Sequence, residues 1–185
     1  MLGNDIVDLN HLPDEERSLS LPYLSKICSD REIEKILNSN NPIFLLWRIW
    51  TMKESAYKIA IKLGAERAFN PKKFETFPID EASGLVSSDF GTMLCETNSN
   101  ELFIHTVAFL PKSKAYKSGE TLYADNQSAA VRHALIGDYL VLYPNAQNNE
   151  VIMQNGIPQL ISDSDKIDVS LSHHGSYISW AFELP

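Results

Sequence analysis

The chain has 185 residues, which suits one domain or two small halves that share a core. Hydrophobic residues make up 44% and aromatic residues 10%, which argues against global disorder, and no apolar run approaches the roughly 20 residues needed to cross a bilayer. The formal net charge of -8 argues against a general nucleic-acid binder, because phosphate contacts need clustered Lys and Arg.

The cysteines and the first residues indicate a compartment. Cys28 and Cys95 lie far apart and outside any CxxC spacing, so they predict neither a disulfide framework nor a zinc site. The stretch "MLGNDIVDLN" carries two aspartates and no basic residue, which is not typical of a secretory signal. We therefore expect a cytoplasmic protein.

The first half of the chain predicts a strand, two helices and then further strands. "GNDIVDL" (3–9) is short and β-branched, as strands are. "CSDREIEKIL" has an N-cap at Ser29 or Asp30 and apolar residues at helical spacing. A longer helix runs from Pro42 or Ile43 to Leu63 and ends at Gly64, and residues 74–110 predict strands and turns.

The second half predicts a linker, a helix and three strands. Residues 112–127 are polar and contain a glycine, so they are the best linker candidate, and "SAAVRHALIGDYLVLY" predicts an amphipathic helix. "NGIPQL" predicts a turn into a strand, and the last residues predict two strands joined at His174-Gly175. "LFIHTVAFLP" ends the first half and "SYISWAFELP" the second, a weak indication of two related halves.

Charge is unevenly distributed along this acidic chain. Residues 47–73 hold seven basic residues and only two acidic ones. Such a segment predicts contact with an anionic ligand or partner, although a solvated helix face is the simpler interpretation.

Three polar clusters are candidates for chemistry. Asp5 stands mid-strand, where aspartate is disfavoured unless it reaches solvent or a cation. Glu54 and Lys58 form an i,i+4 pair that, if exposed, would contribute only about 0.3–0.5 kcal/mol. In "VSLSHHG", strand alternation places Ser172 and His173 on opposite faces, and the strand end could bind phosphate or simply face water.

Together these clusters resemble the 4′-phosphopantetheinyl transferase superfamily. The resemblance rests on four segments, which are "GNDIVDL" (3–9), "LLWRIWTMKESAYKIAIKLG" (45–64), "NGIPQL" (155–160) and "VSLSHHGSYISWAFE" (169–183). The family has a Gly-x-Asp-Ile strand, a Trp-x-x-Lys-Glu-Ser/Ala-x-x-Lys helix, a Gly-Lys/Arg-Pro turn and a Ser-x-Ser-His strand. The helix motif is matched in full and is the most specific of the four.

The resemblance implies a holo-acyl-carrier-protein synthase-like enzyme, as used in fatty acid biosynthesis. It would transfer the 4′-phosphopantetheine arm of coenzyme A to a serine of an apo acyl or peptidyl carrier protein and release 3′,5′-ADP, with Mg²⁺ as cofactor. By motif position, Asp5 and Glu54 would bind the metal, Glu54 would also be the general base, and Lys58 would contact the phosphates or assist the leaving oxygen. The cofactor-binding residues implied are Lys53, Lys58, Pro158, Ser172 and His173. No nucleic acid and no membrane are expected as partners.

The resemblance also implies an α+β fold of two α/β halves with antiparallel sheets. The motif order is that of short, trimeric members, yet the chain carries an additional helix in its second half. We expect a circularly permuted pseudo-dimer, with a metal-binding half over 1–111 and a nucleotide-binding half over 112–185. Such a chain would act as a monomer, whereas an unpermuted one would be a homotrimer with sites between subunits.

One departure and two alternatives stand beside this hypothesis. The turn has Ile157 where the family has Lys or Arg, and Lys112, Lys114, Lys117 and Arg132 are candidates to replace that charge. The alternatives are a Mg²⁺-dependent hydrolase of coenzyme A or a nucleotide, and a non-catalytic module that binds coenzyme A or a carrier protein.

Overall fold

The computed structural model describes residues 1–123 and 125–185 and has an α+β architecture. The helices are α1 (Glu15–Ser18), α2 (Leu21–Ile27), α3 (Asp30–Leu37), α4 (Pro42–Lys62) and α5 (Gln127–Leu142). The strands are β1 (Leu2–Asp8), β2 (Glu75–Pro78), β3 (Ser83–Ser88), β4 (Gly91–Ser99), β5 (Phe103–Phe109), β6 (Tyr116–Leu122), β7 (Glu150–Gln154), β8 (Ile157–Ser162), β9 (Asp165–His174) and β10 (Tyr177–Glu183). Within the described residues, no helix combines the length and the apolar character needed to cross a membrane.

The strands form two five-stranded antiparallel sheets with the same topology. The first sheet has the order β1-β5-β4-β3-β2 and the second the order β6-β10-β9-β8-β7. In each sheet, the first strand is followed by one or more helices and then by a four-stranded meander. The last strand of the meander pairs with the first strand of the sheet, β5 with β1 and β10 with β6. The prediction of an α+β fold with two antiparallel sheets is confirmed, and the circular permutation stays a prediction.

The sequence echo has a structural counterpart. "LFIHTVAFLP" contains β5 and "SYISWAFELP" contains β10, and these strands hold equivalent places in the two sheets. Both are buried along nearly their whole length, which explains their β-branched and aromatic composition.

Helix α4 is the central helix of the first half. The side chain of Asn41 caps it by accepting a hydrogen bond from Phe44 N–H, and Pro42 occupies the first turn. It packs mainly on β1 and β5. The close approach to β1 depends on Gly3, because a Cβ there would overlap the carbonyl oxygen of Ser55.

The predicted linker is replaced by a strand. Residues Tyr116–Leu122 form β6, which pairs antiparallel with β10, and Ala124, also within the predicted 112–127, lies outside the described residues. The strand is not evident from the sequence because β6 is polar and stands at the edge of its sheet, where one edge remains unpaired.

A buried polar network joins the two halves. The Asn4 amide donates to Ser179 Oγ (2.8 Å) and contacts Nε2 of His105 (3.2 Å), while Nδ1 of His105 contacts Glu120 (2.9 Å). Because Nε2 accepts from the amide, the proton of a neutral His105 is on Nδ1 and is donated to Glu120. This bond holds the pKa of Glu120 below its usual value.

Candidate active site

The site lies where β1 of the first sheet crosses β9 of the second. Side chains of β9 accept hydrogen bonds from backbone N–H groups of β1: Leu2 to Asp168 (2.8 Å), Asn4 to Ser170 (2.8 Å) and Asp8 to His174 (3.0 Å). The acceptors stand two or four residues apart, so one face of β9 meets the edge of β1 that β5 leaves unpaired. This contact fixes the position of Asp5 against the second half of the same chain.

Lys58 of α4 joins the two strands. Its Nζ donates to the carbonyl oxygens of Asn4 (2.6 Å) and Leu171 (3.3 Å) and to Oδ1 of Asp5 (3.3 Å). The side chain remains 28% exposed. Lys58 is therefore anchored by backbone oxygens and still has access to the solvent side of the cluster.

Lys62, one turn further along α4, repeats this bridge. Its Nζ donates to the carbonyls of Leu2 (2.6 Å) and Val169 (2.8 Å) and forms an ion pair with Asp168 (2.6 Å). Burial lowers the pKa of Lys62, and the charge of Asp168 partly offsets that effect. Lys62 is not among the site residues predicted from the sequence, although its position four residues after Lys58 places both on one helix face.

Asp5 is nearly buried and is held by its neighbours. Ser172 Oγ donates to Oδ1 of Asp5 (2.7 Å), and the side chain of Lys58 approaches the same oxygen. Asp5 therefore has its charge compensated in part and its carboxylate fixed in orientation.

Glu54 lies beside Asp5 and has a perturbed pKa. Burial and the charge of Asp5 raise the pKa of Glu54 from 4.5 to about 7, and Lys58 offsets this only in part. Among the described residues, the Glu54 carboxylate makes no hydrogen bond of ordinary geometry. A half-buried carboxylate next to a second one attracts either a proton or a cation.

The residues present fit a hard divalent cation. Asp5 and Glu54 offer oxygen ligands from a strand and a helix, and Mg²⁺ is usually held by one or two carboxylates together with waters and substrate oxygens. Within the described residues there is no group of three or more His, Cys, Asp or Glu side chains suited to a metal, so a site held by protein ligands alone is not formed. A bound cation would compensate the charge of the Glu54 carboxylate, which burial and the neighbouring Asp5 disfavour.

A pocket of about 380 Å³ opens beside this cluster, between α4 and the second half. Its polar lining includes Lys58, Lys62, Ser170 and His173, and its apolar lining includes Pro158. No carboxylate lines it among the described residues, which gives this acidic protein one locally basic cavity. The pocket therefore suits an anionic ligand with an apolar portion.

Ser172 and His173 do different things in the structure. Ser172 faces β1 and hydrogen-bonds Asp5, whereas His173 lines the pocket. Adjacent residues on a strand point to opposite faces, so the two side chains do not converge on one ligand atom. Pro158 lies with His173 on the pocket wall.

The structure does not bring Lys53 to the pocket. Its side chain is fully buried on another face of α4, where Nζ pairs with Glu32 (2.7 Å) and donates to the carbonyl of Pro71 (3.0 Å). A lysine one residue before Glu54 is turned by about 100° around the helix, which takes it out of the site. The position of Lys53 is therefore inconsistent with the expected contact with coenzyme A.

The basic segment 47–73 is also less exposed than its composition indicates. Arg48 is buried and donates to the carbonyl of Ser83 (2.9 Å), and Lys53 is buried as described. Its exposed cations are Arg67, Lys72 and Lys73. Neither the solvated-face interpretation nor a continuous basic surface describes this segment, because most of its charges serve internal contacts.

Comparison with known proteins supports what the geometry indicates. Residues 1–118 match the sequence model of the family described as the 4′-phosphopantetheinyl transferase superfamily. The match contains β1 with Asp5 and α4 with Glu54 and Lys58, and it ends before β9. No curated protein matches the chain. Since the family match covers more than half of the 185 residues, the chain belongs to the 4′-phosphopantetheinyl transferase superfamily.

Proposed function

We propose that the protein transfers the 4′-phosphopantetheine arm of coenzyme A to a serine of an apo carrier protein, in a Mg²⁺-dependent reaction that releases 3′,5′-ADP. The observation that carries the proposal is the cluster of Asp5, Glu54 and Lys58, in which Lys58 also lines a basic pocket without carboxylates in its described lining. Coenzyme A is a polyanion with an apolar adenine ring, which is the chemistry that such a pocket favours.

Glu54 is the proposed general base. The serine oxygen attacks the pyrophosphate phosphorus on the pantetheine side, its proton passes to Glu54 directly or through a water, and the bond to 3′,5′-ADP breaks. A base works best when its pKa is close to the pH of the reaction, and in the metal-free protein burial and the charge of Asp5 raise the pKa of Glu54 to about 7.

The other residues position groups and compensate charge. Lys58 is anchored by the carbonyls of Asn4 and Leu171, so its ammonium group is held in place to contact the phosphates or the leaving oxygen. Ser172 orients Asp5, and His173 with Pro158 forms the wall for the nucleotide.

Asp5 and Glu54 would hold the metal. When bound, Mg²⁺ would neutralise pyrophosphate charge that lysine alone leaves uncompensated. The hydrogen bond from Ser172 keeps one Asp5 oxygen oriented and leaves the other for coordination.

The proposed division is a metal-binding half over 1–111 and a nucleotide-binding half over 112–185, acting together in a monomer. It is supported by the fact that Asp5 and Ser172 meet within one chain. Light scattering at assay concentration checks this, and a trimer with sites shared between subunits would refute it.

We place the carrier protein near Lys72 and Lys73, the exposed cations of the segment that follows α4. Carrier proteins with an acidic surface would be attracted there, with affinity that falls as salt rises. Acyl and peptidyl carrier proteins should be assayed side by side, since surface complementarity decides between them.

Intact mass spectrometry of an apo carrier protein incubated with coenzyme A, Mg²⁺ and the enzyme tests the function. We expect the mass of one phosphopantetheine arm to be added, and EDTA, Asp5→Ala and Glu54→Gln to suppress it strongly. Cleavage of coenzyme A without a carrier would favour the hydrolase. Binding without any transfer, unaffected by Glu54→Gln, would favour the non-catalytic module.

A further inference from the structure

The turn that departs from the family pattern is well defined in the structure. Asn155 (φ 51°) and Gly156 (φ 71°) connect β7 to β8, with Gln154 and Ile157 as the closing pair. Asn-Gly at two positive-φ positions is the favoured sequence of a two-residue hairpin turn. The turn therefore keeps its shape while Ile157 leaves it without a cation of its own.

A cation from another segment occupies this place. Arg67 belongs to the loop after α4, and its guanidinium donates to the carbonyl oxygen of Asn155 (2.5 Å). It lies so close to the turn that a Cβ on Gly156 would overlap the guanidinium. The positive charge of Arg67, a residue of the first half, therefore lies on the turn of the second half, next to Ile157.

Arg67 has donors left for a ligand. A guanidinium has five N–H donors, and the contact with Asn155 is the one hydrogen bond of Arg67 found in the described part of the chain. The other basic residues of the pocket lining are Lys58, Lys62 and Arg132, and each donates to protein oxygens outside the Asn155-Gly156 turn. Arg67 is exposed and lines the same pocket.

The lysines considered from sequence do not replace the missing charge. Lys114 lines a different cavity, and Lys112 and Lys117 are exposed away from the pocket lining. Arg132 does line the pocket, but its guanidinium is held at Ser128, one turn earlier on α5, whereas that of Arg67 is held at the Asn155-Gly156 turn.

We propose that Arg67 is a further phosphate-binding cation of this pocket, besides Lys58, and takes the part that a basic residue at position 157 would otherwise play. The inference rests on the proposed function, because it assigns Arg67 to a phosphate of coenzyme A. The planar guanidinium, fixed on one side by the Asn155 carbonyl, presents its remaining N–H groups for bidentate contact with a phosphate.

Calorimetric titration of coenzyme A into the full-length protein tests this directly. We expect Arg67→Gln to raise the Kd about tenfold or more, in keeping with the loss of a charge-assisted hydrogen bond. Arg67→Gln combined with Ile157→Arg should recover most of the affinity, because the cation returns at the turn itself. Lys112→Gln is the matched control and should leave the Kd unchanged.

The outcomes separate this inference from the proposed function. If the wild-type protein does not bind coenzyme A, the function fails and the inference with it. If wild type binds and Arg67→Gln binds equally well, the inference alone is overturned. A loss of affinity that Ile157→Arg does not recover would also overturn it, since Arg67 would then act only by holding the turn.

Discussion

The buried Lys53–Glu32 pair makes a sharp prediction, because Lys53 lies inside the motif that identifies the family. Both side chains are almost fully buried, and their charged atoms are 2.7 Å apart. Glu32 also accepts hydrogen bonds from Ser29 N–H (2.8 Å) and from the N–H and hydroxyl of Thr76 (2.8 and 2.7 Å). Lys53→Met removes the countercharge and leaves a buried carboxylate with three uncharged donors.

The expected loss follows from these contacts. Breaking a buried ion pair by removing one partner destabilises a protein by about 3–5 kcal/mol. Because the remaining donors of Glu32 are in place, we expect the lower end, about 3 kcal/mol, which corresponds to about 6–12 °C in Tm for a chain of this size. Lys53→Met/Glu32→Gln should recover most of it, because the carboxylate is gone and the amide oxygen still serves Thr76.

Denaturant unfolding of the two variants and wild type measures these differences. Lys35→Met is the control, since Lys35 is an exposed lysine of α3 and should change the free energy of unfolding by less than about 0.5 kcal/mol. The Kd for coenzyme A of folded Lys53→Met should equal that of wild type. Unchanged stability with weakened coenzyme A binding would refute the reasoning and return Lys53 to the cofactor site.

Three further predictions concern charge, packing and reactivity. The raised pKa of Glu54 means that the folded state holds its proton more tightly than the unfolded state, so this group's contribution to stability falls as pH rises from 4.5 to about 7. In EDTA, Glu54→Gln should therefore gain stability over wild type across that window, by about 2 kcal/mol after allowance for partial exposure, and a pH-independent difference would contradict this. Gly3→Ala forces a Cβ onto the carbonyl of Ser55, and we expect a loss of about 3 kcal/mol or more by thermal unfolding. Gly137→Ala, inside α5 and with open space for the Cβ, should instead gain up to about 1 kcal/mol. Burial raises the pKa of both cysteine thiols to about 12, so iodoacetamide at pH 8 should label them only after unfolding; fast labelling of the native protein would show that the thiols are accessible.

The sequence by itself determined the elements that carry the candidate site. The strand around Asp5, the helix with Glu54 and Lys58 and the hairpin at His174 are where the local patterns predict them. These elements follow from local sequence features, namely β-branched runs, helix caps and the two-residue alternation of strands.

Only the tertiary structure decided which charges are internal and which line the pocket. In the composition, Lys53 and Arg67 each count as one positive charge. In the structure, Lys53 is buried against Glu32, whereas Arg67 lies on the Asn155-Gly156 turn. Nothing local marks either partner, because both contacts join residues 21 or more positions apart. Likewise the polar β6 is held as a strand by its pairing with β10 and not by its own propensity. The burial of Lys53, the position of Arg67 and the strand β6 all depend on long-range contacts, and local sequence patterns do not reveal such contacts.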